Sequence, residues 1–409
     1  MTATLDDRRR LALERLHGGP GRAPVRRPLR RDRSAEPRPR LWERRIAPAP
    51  AGYYVIAIVV VLFVLLGLVM VLSASATTES NKGNSPYHLF NRQLAWAGFG
   101  VAGLLIGLRV SLVWVRRAAI PLLVLAGAAM ALPFTSAVGA TLNGARAWVM
   151  VGSYTLQPSE FLKLAVVIFA ADLLARRQDV VADVGRSLRP IAVLAVCAAA
   201  ACLIQSDLGS AVVMAAIVLA VAFIGGVPLS PMLLSGVLAV VGTLAFVFSS
   251  GRRQERFTAF LDITGHRDEL SYQTYQGFLS IADGGLTGSG VGAGNGKLGY
   301  LPLAHSDFIF AVIADELGFV GTLAVVGGFM LLVWFGIQAA LAAPDRFGML
   351  LAGGIAAWFG VQAVINLGGV TGLMPVTGLT LPFFSAGGSS LFVSMTAAGL
   401  LMNVARRAQ

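Results

Sequence analysis

The residue most able to do chemistry in this chain is an aspartate at the end of a polar segment. The segment Leu301-Pro-Leu-Ala-His305-Ser-Asp307 ends where a long apolar run begins. A carboxylate at the edge of a membrane costs free energy, so one that is kept there is a candidate functional group. An ionised Asp307 can act as a general base, because it can take a proton from a hydroxyl group. The alternative is structural, since aspartate is also a favoured N-cap of a helix.

A second set of polar residues opens another apolar run. In Gln157-Pro-Ser159-Glu160-Phe-Leu-Lys163 the acid and the lysine are three residues apart, so they share one face of a helix. They can neutralise each other as an ion pair, line a substrate site, or do both. Asp207 stands before a further apolar run, where it can cap the helix or join the site.

Basic and aromatic residues occur in two segments that we expect on the outer side of a membrane. These are Arg146 and Trp148 in one segment, and Arg252 and Lys297 in the other. Cations are disfavoured there by the positive-inside rule. An anionic partner, such as a lipid phosphate, would favour them; the alternative is that short basic runs are tolerated once neighbouring spans fix the orientation. Trp148 is either a stacking surface for a sugar or an interfacial anchor.

The composition indicates that membrane-spanning helices position these residues. Of 409 residues, 56% are hydrophobic and 13% are charged, which is typical of an integral membrane protein. Runs of about 20 apolar residues recur along the chain, and each is long enough to cross a bilayer. We therefore predict an all-α polytopic fold with ten transmembrane helices. The predicted spans are residues 50–74, 92–110, 117–136, 158–175, 189–204, 208–226, 230–249, 307–340, 347–371 and 387–404.

The segments outside these spans differ in character. Residues 1–46 hold fourteen arginines against six acidic residues and have no apolar periodicity, which predicts a disordered basic cytoplasmic tail. Trp42 is its one aromatic residue and no nucleic-acid-binding fold accompanies it, so we expect anionic lipid or a protein partner rather than nucleic acid. Residues 47–409 form the membrane domain, with both termini cytoplasmic. Residues 250–306 form a large extracytoplasmic loop between spans 7 and 8, with an amphipathic helix from Tyr272 and seven glycines between Gly284 and Gly296.

In this topology the candidate residues meet at the outer ends of the spans, and we expect Asp315 and Glu316 to face a cavity or a cation. An irregular, re-entrant stretch is predicted from Pro375 to the serines before span 10. The predicted substrate-site residues are Arg146, Trp148, Gln157, Ser159, Glu160, Lys163, Asp207, Arg252, Lys297, His305, Ser389 and Ser390, with Asp307 as the catalytic residue.

Five motifs, in order, resemble the SEDS (shape, elongation, division and sporulation) family. They are Asn143-Gly-Ala-Arg-Ala-Trp148, Gln157-Pro-Ser-Glu-Phe-Leu-Lys163, Gln205-Ser-Asp-Leu-Gly209, Leu301-Pro-Leu-Ala-His-Ser-Asp-Phe-Ile-Phe310 and Ser385-Ala-Gly-Gly-Ser-Ser390. The resemblance runs from about residue 50 to the C-terminus, and the runs at 297–302 and 343–348 are closer to the division branch than to the elongation branch. Ala386 and Gly296 depart from residues that many members carry.

The resemblance implies a peptidoglycan glycosyltransferase of the bacterial cytoplasmic membrane that polymerises lipid II during cell division. It places the family's essential aspartate at Asp307, and it implies a class B penicillin-binding protein and other division proteins as partners. Inverting transfer needs a base for the acceptor hydroxyl, and Asp307 is the candidate. Arg252, Lys297 or a divalent cation (Mg²⁺ or Mn²⁺) would neutralise the leaving pyrophosphate, and no organic cofactor is expected. A lipid II flippase and a non-catalytic division scaffold are the alternatives.

Overall fold

The computed structural model describes residues 50–142, 144–152, 154–181, 183–266, 271–294 and 301–408, and at positions 184, 188, 252 and 256 it describes the backbone alone. The predicted basic tail, residues 1–46, lies outside the described residues, as does Lys297.

The described chain is mostly helical, as its composition predicts. Its helices are α1 Ala51–Asn81, α2 His88–Arg109, α3 Leu112–Arg117, α4 Ala119–Ala129, α5 Pro158–Arg176, α6 Val184–Ile204, α7 Leu208–Ile224, α8 Leu229–Phe248, α9 Gly251–Leu261, α10 Tyr272–Gly284, α11 Ile309–Leu341, α12 Arg346–Val370 and α13 Gly388–Ala405. Each predicted span overlaps one of these helices, and the third corresponds to α4 together with a 3-10 turn at Leu132–Phe134. Five helices in the described segments (α1, α8, α11, α12 and α13) are long and apolar enough to cross a membrane, as befits a multi-pass membrane protein, and the count of ten stays a prediction.

A small antiparallel sheet departs from the all-α prediction. Strands β1 (Gly139–Leu142), β2 (Ala145–Val151) and β3 (Tyr154–Leu156) lie in the order β1-β2-β3. The turns between them contain Gly144 and Gly152, both at positive φ (81° and 60°), which glycine adopts without steric cost. The predicted loop is therefore a three-stranded ribbon that leads directly into α5.

The helices that carry the candidate residues are packed in the interior. Over the most apolar 18 residues of each helix, α12 is 72% buried and α13 is 83% buried. Helix α8 is only 11% buried over the same length and lies at the periphery. Small residues permit the closest helix contact: Gly100, Gly103 and Gly107 of α2 lie against α13, and a Cβ at Gly107 would lie 2.7 Å from the Thr396 carbonyl oxygen.

Two elements of the predicted outer loop are helical. The amphipathic helix predicted from Tyr272 is present as α10, and α9 is an additional helix. Helix α11 follows the loop and is broken at Gly318, which has φ 65° and ψ −162°. Phe319–Leu341 beyond the break is long enough to cross a membrane at 1.5 Å per residue. Asp315 and Glu316 therefore precede the spanning part of α11.

An irregular segment joins α12 to α13, as the prolines and glycines predicted. Residues 379–385 are all buried although they form no regular helix or strand. Irregular backbone at membrane depth is tolerated where protein buries it. It packs against α1, where a Cβ at Gly67 would lie only 2.5 Å from the carbonyl oxygen of Phe383.

Candidate active site

Asp307 lies in a turn immediately before α11. Phe308 is the N-terminal cap position of that helix and no side chain caps it, so the N-cap interpretation of Asp307 is wrong. The Asp307 carboxyl group is half-buried, and its main-chain carbonyl accepts a hydrogen bond of 2.9 Å from Asn366 Nδ2. Asp307 and Asn366 line a shallow depression together with Thr377 and Gly378.

Burial changes the protonation of the two titratable groups in this turn. Removal from water raises the pKa of Asp307 to about 6, and a hydrogen bond from Ser306 opposes that rise. Burial, followed by the nearby charge of Lys82, lowers the pKa of His305, while Glu79 opposes this. At neutral pH Asp307 is therefore mostly ionised, yet more basic than an ordinary aspartate, and His305 is neutral.

The irregular segment before α13 is bonded to the turn that carries Asp307. Ser385 Oγ donates to the Ser306 carbonyl at 2.7 Å, and the Ala386 amide donates to the His305 carbonyl at 2.8 Å. Asn366 Nδ2 also donates to the Leu379 carbonyl at 2.7 Å, so one amide side chain holds both segments. These contacts fix the backbone around Asp307 with neutral donors.

Glu160 and Lys163 form the predicted ion pair, and the structure buries it completely. Lys163 Nζ donates to Glu160 Oε1 at 2.8 Å and to Gln362 Oε1 at 2.9 Å, with side-chain exposures of 0% for Lys163 and 2% for Glu160. The Lys163 ammonium group also lies 5.5 Å from the ring centroid of Trp358. Gln362 also connects the ion pair to the irregular segment before α13, because its Nε2 donates to the Thr380 carbonyl at 2.8 Å.

A second group joins the N-termini of α5, α7 and α13. Asp207 caps α7 by accepting from the Ser210 amide at 2.9 Å, which confirms its predicted capping role. Its other carboxylate oxygen accepts from Gln157 Nε2 at 3.0 Å and from Ser159 Oγ at 3.2 Å. The main-chain N–H of Gln157 donates to Ser389 Oγ at 3.1 Å.

Ser390 links this group to the irregular segment through a 2.8 Å contact between its Oγ and Thr380 Oγ1. The predicted residues Gln157, Ser159, Glu160, Lys163, Asp207, His305, Ser389 and Ser390 are thus gathered with Asp307 at one end of the helix bundle.

Other predicted residues are not brought into this network. Arg146 is exposed on β2, and Trp148 is half-buried opposite Ala140 of β1. The side chain of Arg252 is outside what the structure describes, so its predicted contact with a pyrophosphate stays a prediction, and so does that of Lys297. The role of Trp148 as a stacking surface also stays a prediction.

Sequence reasoning missed four residues here: Gln362, Asn366, Thr380 and Arg92. The first three are isolated polar residues in apolar or irregular stretches, where one amide or hydroxyl gives no local signal. Arg92 lies near the N-terminus of α2 beside an open cavity of about 340 Å³ lined by Ser85, His88, Asn91 and Tyr154. Its Nε is buried without a hydrogen-bond partner. An arginine among the outer ends of the spans was the signal that could have identified it.

The described part of the glycine-rich run, residues 284–294, packs against α11. Its backbone lies against Asp315 and Glu316, where Ser289 Oγ donates to Asp315 Oδ1 at 3.3 Å and the Gly292 amide donates to Glu316 Oε2 at 3.0 Å. The glycine density therefore serves contact between two backbone segments.

Comparison with known proteins identifies relatives over nearly the whole described chain. The model of the cell cycle protein family of FtsW, RodA and SpoVE matches residues 53–409. The stage V sporulation protein E of Bacillus subtilis (strain 168) is 36% identical over 351 residues, which is 86% of this chain and 96% of that protein. The probable peptidoglycan glycosyltransferase FtsW of Geobacter sp. (strain M18) is 36% identical over 358 residues, 87% of this chain and 97% of that one.

A solved peptidoglycan synthase complex, described as coordinating polymerization and crosslinking, contains a similar chain. The TM-score is 0.71 at 32% identity, and the match covers 86% of this chain and 97% of that one. These matches confirm the resemblance found in the motifs.

Proposed function

We propose that this chain, which belongs to the cell cycle protein family of FtsW, RodA and SpoVE and is a peptidoglycan glycosyltransferase, uses Asp307 as the general base of glycosyl transfer. The observation that carries the proposal is the setting of Asp307. Asp307 is a half-buried residue in a depression at one end of the helix bundle, and burial raises its pKa to about 6. A base is most effective when its pKa lies near the working pH.

The proposed reaction joins two molecules of a lipid-linked sugar, lipid II. The acceptor hydroxyl oxygen forms a bond to the anomeric carbon of the donor, the bond from that carbon to the pyrophosphate breaks, and the hydroxyl proton passes to Asp307. The configuration at the carbon inverts because attack and departure occur on opposite faces. The site lies on the extracytoplasmic side in this proposal, because the acidic and amide residues are gathered at one end of the helices, which the charge pattern assigns to the outside.

A cation is needed where negative charge builds up on the leaving pyrophosphate. Arg92 is a candidate in addition to Arg252 and Lys297, because its buried Nε has an unused donor and it borders the larger cavity. Arg92 also precedes Gln93, whose Nε2 donates to the Ser385 carbonyl at 3.1 Å, next to the segment that contacts the Asp307 turn.

A divalent cation (Mg²⁺ or Mn²⁺) stays part of the proposal. Within the described ranges no three His, Cys, Asp or Glu side chains are grouped closely enough to hold a metal ion. Magnesium is often held by one carboxylate together with substrate phosphates. An ion held largely by the substrate would neutralise the phosphate charge and leave Asp307 to act as the base.

The partners are proposed from the family. A class B penicillin-binding protein would crosslink the strands, and other division proteins would assemble around the pair. The similar chain in the solved peptidoglycan synthase complex supports a partner of this kind.

The experiment compares glycan polymerisation from purified lipid II by the wild type, Asp307→Asn and Asp262→Asn, each with the partner supplied. Asp262 is a matched control because it is an exposed aspartate of the same outer loop, bonded to the Gly265 amide at 2.9 Å. We expect polymer from the wild type and from Asp262→Asn, and a loss of at least about 100-fold in Asp307→Asn.

Equal polymer from Asp307→Asn and the wild type would refute the role of Asp307 and direct attention to Glu160 and Asp207. Translocation of lipid II without polymer in the wild type would support the flippase, and neither activity would support the scaffold.

A further inference from the structure

Helix α11 is interrupted at Gly318, and the interruption separates the segment 309–317 from the rest of the helix. Gly318 has φ 65°, a conformation that residues with a side chain rarely adopt. Residues 309–316 before it are all buried, whereas Phe319 and Val320 after it are exposed apolar residues. The short segment is therefore a packed element of its own, and Asp307 is separated from it by Phe308 alone.

The segment Gly284–Gly294, which we call the glycine loop, supplies the hydrogen bonds that the break would otherwise leave unmade. The Ser289 amide donates to the Asp315 carbonyl at 2.9 Å, and the Gly290 amide donates to the Glu316 carbonyl at 3.0 Å. Beyond the break the Phe319 amide donates to the Gly285 carbonyl at 2.9 Å. Carbonyls at a helix end need such partners because no later turn supplies them.

The side chain of Glu316 ties this loop to helix α1. Its Oε2 accepts from the Gly292 amide at 3.0 Å, and its Oε1 accepts from Ser73 Oγ of α1 at 2.5 Å. One carboxylate therefore connects the glycine loop, the segment 309–317 and α1. Hydrogen bonds to an ionised acceptor are among the stronger ones in proteins.

The contact requires glycines at particular positions. A Cβ at Gly288 would collide with the Glu316 carbonyl oxygen, and a Cβ at Gly294 would lie 2.6 Å from Asp315 Oδ2. On the other side, a Cβ at Gly277 of α10 would lie 2.9 Å from the Phe308 ring. The loop and α10 thus pack so closely against the stretch from Phe308 to Glu316 that these glycine positions leave no room for a side chain.

We propose that the glycine loop, through Glu316, positions Asp307 for the reaction by holding the segment 309–317 against α1. This inference rests on the proposed function of Asp307. On its N-terminal side, the stretch from Phe308 to Glu316 is held by the hydrogen bond from Asn366 to the main-chain carbonyl of Asp307. On its C-terminal side, it is held by the contacts of the segment 309–317 with the glycine loop and α1. Glu316 is a positioning residue, since it acts on Asp307 through the backbone between them.

The first test is Gly288→Ala, with Gly83→Ala as the matched control. Both glycines have nearly the same positive φ (81° and 78°), but a Cβ at Gly83 meets no atom within 4 Å. The two variants share the backbone strain, and Gly288→Ala alone adds the collision with Glu316. We expect Gly288→Ala to lower kcat on the order of 10- to 100-fold with KM for lipid II within about twofold, because a small misplacement of a reacting group costs rate. Gly83→Ala keeps the wild-type kcat.

The pH dependence separates positioning from a general loss of folded protein. If Asp307 moves toward solvent, burial raises its pKa less, and the acidic limb of the pH–rate profile shifts to lower pH in Gly288→Ala. A smaller active fraction would lower the rate at every pH and leave the limb in place. Glu316→Gln preserves the side-chain size but places an amide nitrogen, which cannot accept, opposite one donor, so it is expected to shift the limb in the same direction.

A readout independent of catalysis uses Asp307→Cys in a chain that carries Cys197→Ala and Cys202→Ala. We expect Gly288→Ala, and not Gly83→Ala, to accelerate labelling of the new thiol by a water-soluble maleimide about tenfold. Equal labelling and an unmoved acidic limb in Gly288→Ala and Gly83→Ala would overturn the positioning role. Full activity of Asp307→Asn would instead overturn the proposed function, so the two failures are distinguishable.

Discussion

Removal of the ammonium group from the buried pair of Glu160 and Lys163 is expected to destabilise the protein severely. Lys163→Met fills a similar volume but leaves the Glu160 carboxylate, which is 2% exposed, without its cation. Glu160 Oε2 already has no hydrogen-bond partner, so little remains to compensate the charge. Breaking a buried pair on one side costs about 3–5 kcal/mol. We therefore expect the free energy of unfolding, measured by SDS titration in mixed micelles, to fall by about that amount.

The chain offers a matched control in the pair of Lys82 and Glu79, of which only the lysine is exposed. It has the same spacing of three residues, with Nζ 3.3 Å from Oε1, but Lys82 is 58% exposed. Glu79 keeps a hydrogen bond of 3.0 Å from Asn84 Nδ2, and the lysine it loses is largely solvated. Lys82→Met should therefore change the unfolding free energy by no more than about 1 kcal/mol. The double variant Glu160→Gln with Lys163→Met should recover about 2 kcal/mol of the loss, because it removes the unpaired charge. A Lys163→Met protein as stable as Lys82→Met, or additive losses in the double variant, would refute the reasoning.

Two further predictions concern Asp307 and Arg92. Because its pKa is raised to about 6 by burial, folded Asp307 binds a proton more tightly than the unfolded chain between about pH 4 and 6, so this carboxyl makes the protein less stable as pH rises through that window. SDS titrations across pH should show Asp307→Asn more stable than the wild type at pH 7.5, by at most about 3 kcal/mol, with the difference vanishing near pH 4. Arg92→Gln should lower kcat/KM for lipid II on the order of tenfold and Arg92→Lys by less, because both remove donors from the larger cavity and the lysine keeps the charge. Unchanged kcat/KM in both variants would exclude Arg92 from neutralising the leaving pyrophosphate.

The parts of the site that follow from local sequence were predicted well. Pro158 in the first turn of α5, the ion pair three residues apart and the cap at Asp207 depend on neighbours within one helical turn, so their geometry is encoded locally. The amphipathic helix from Tyr272 was found for the same reason, since its periodicity lies within its own residues.

The parts that failed depend on distant contacts. The break at Gly318 lies inside a single predicted span, and the glycine loop, about thirty residues earlier in the chain, makes the broken geometry favourable. Asn366 and Gln362 were missed because their partners, the carbonyls at Asp307, Leu379 and Thr380, belong to segments far away in sequence. The sheet was missed because its strands are short and its turn glycines also suit an ordinary loop.

The distribution of charge around Asp307 supports a base more than a fixed cation-binding carboxylate. The turn that carries it is held by the neutral groups of Asn366 and Ser385, which satisfy backbone carbonyls without adding positive charge. A lysine or arginine in their place would favour the ionised carboxylate and lower its pKa, which would make it a poorer proton acceptor. The buried cation Lys163 is instead bonded to Glu160, so its charge is neutralised within the pair. Neutral amides and hydroxyls can therefore hold Asp307 rigidly while burial keeps its pKa near the pH at which it works.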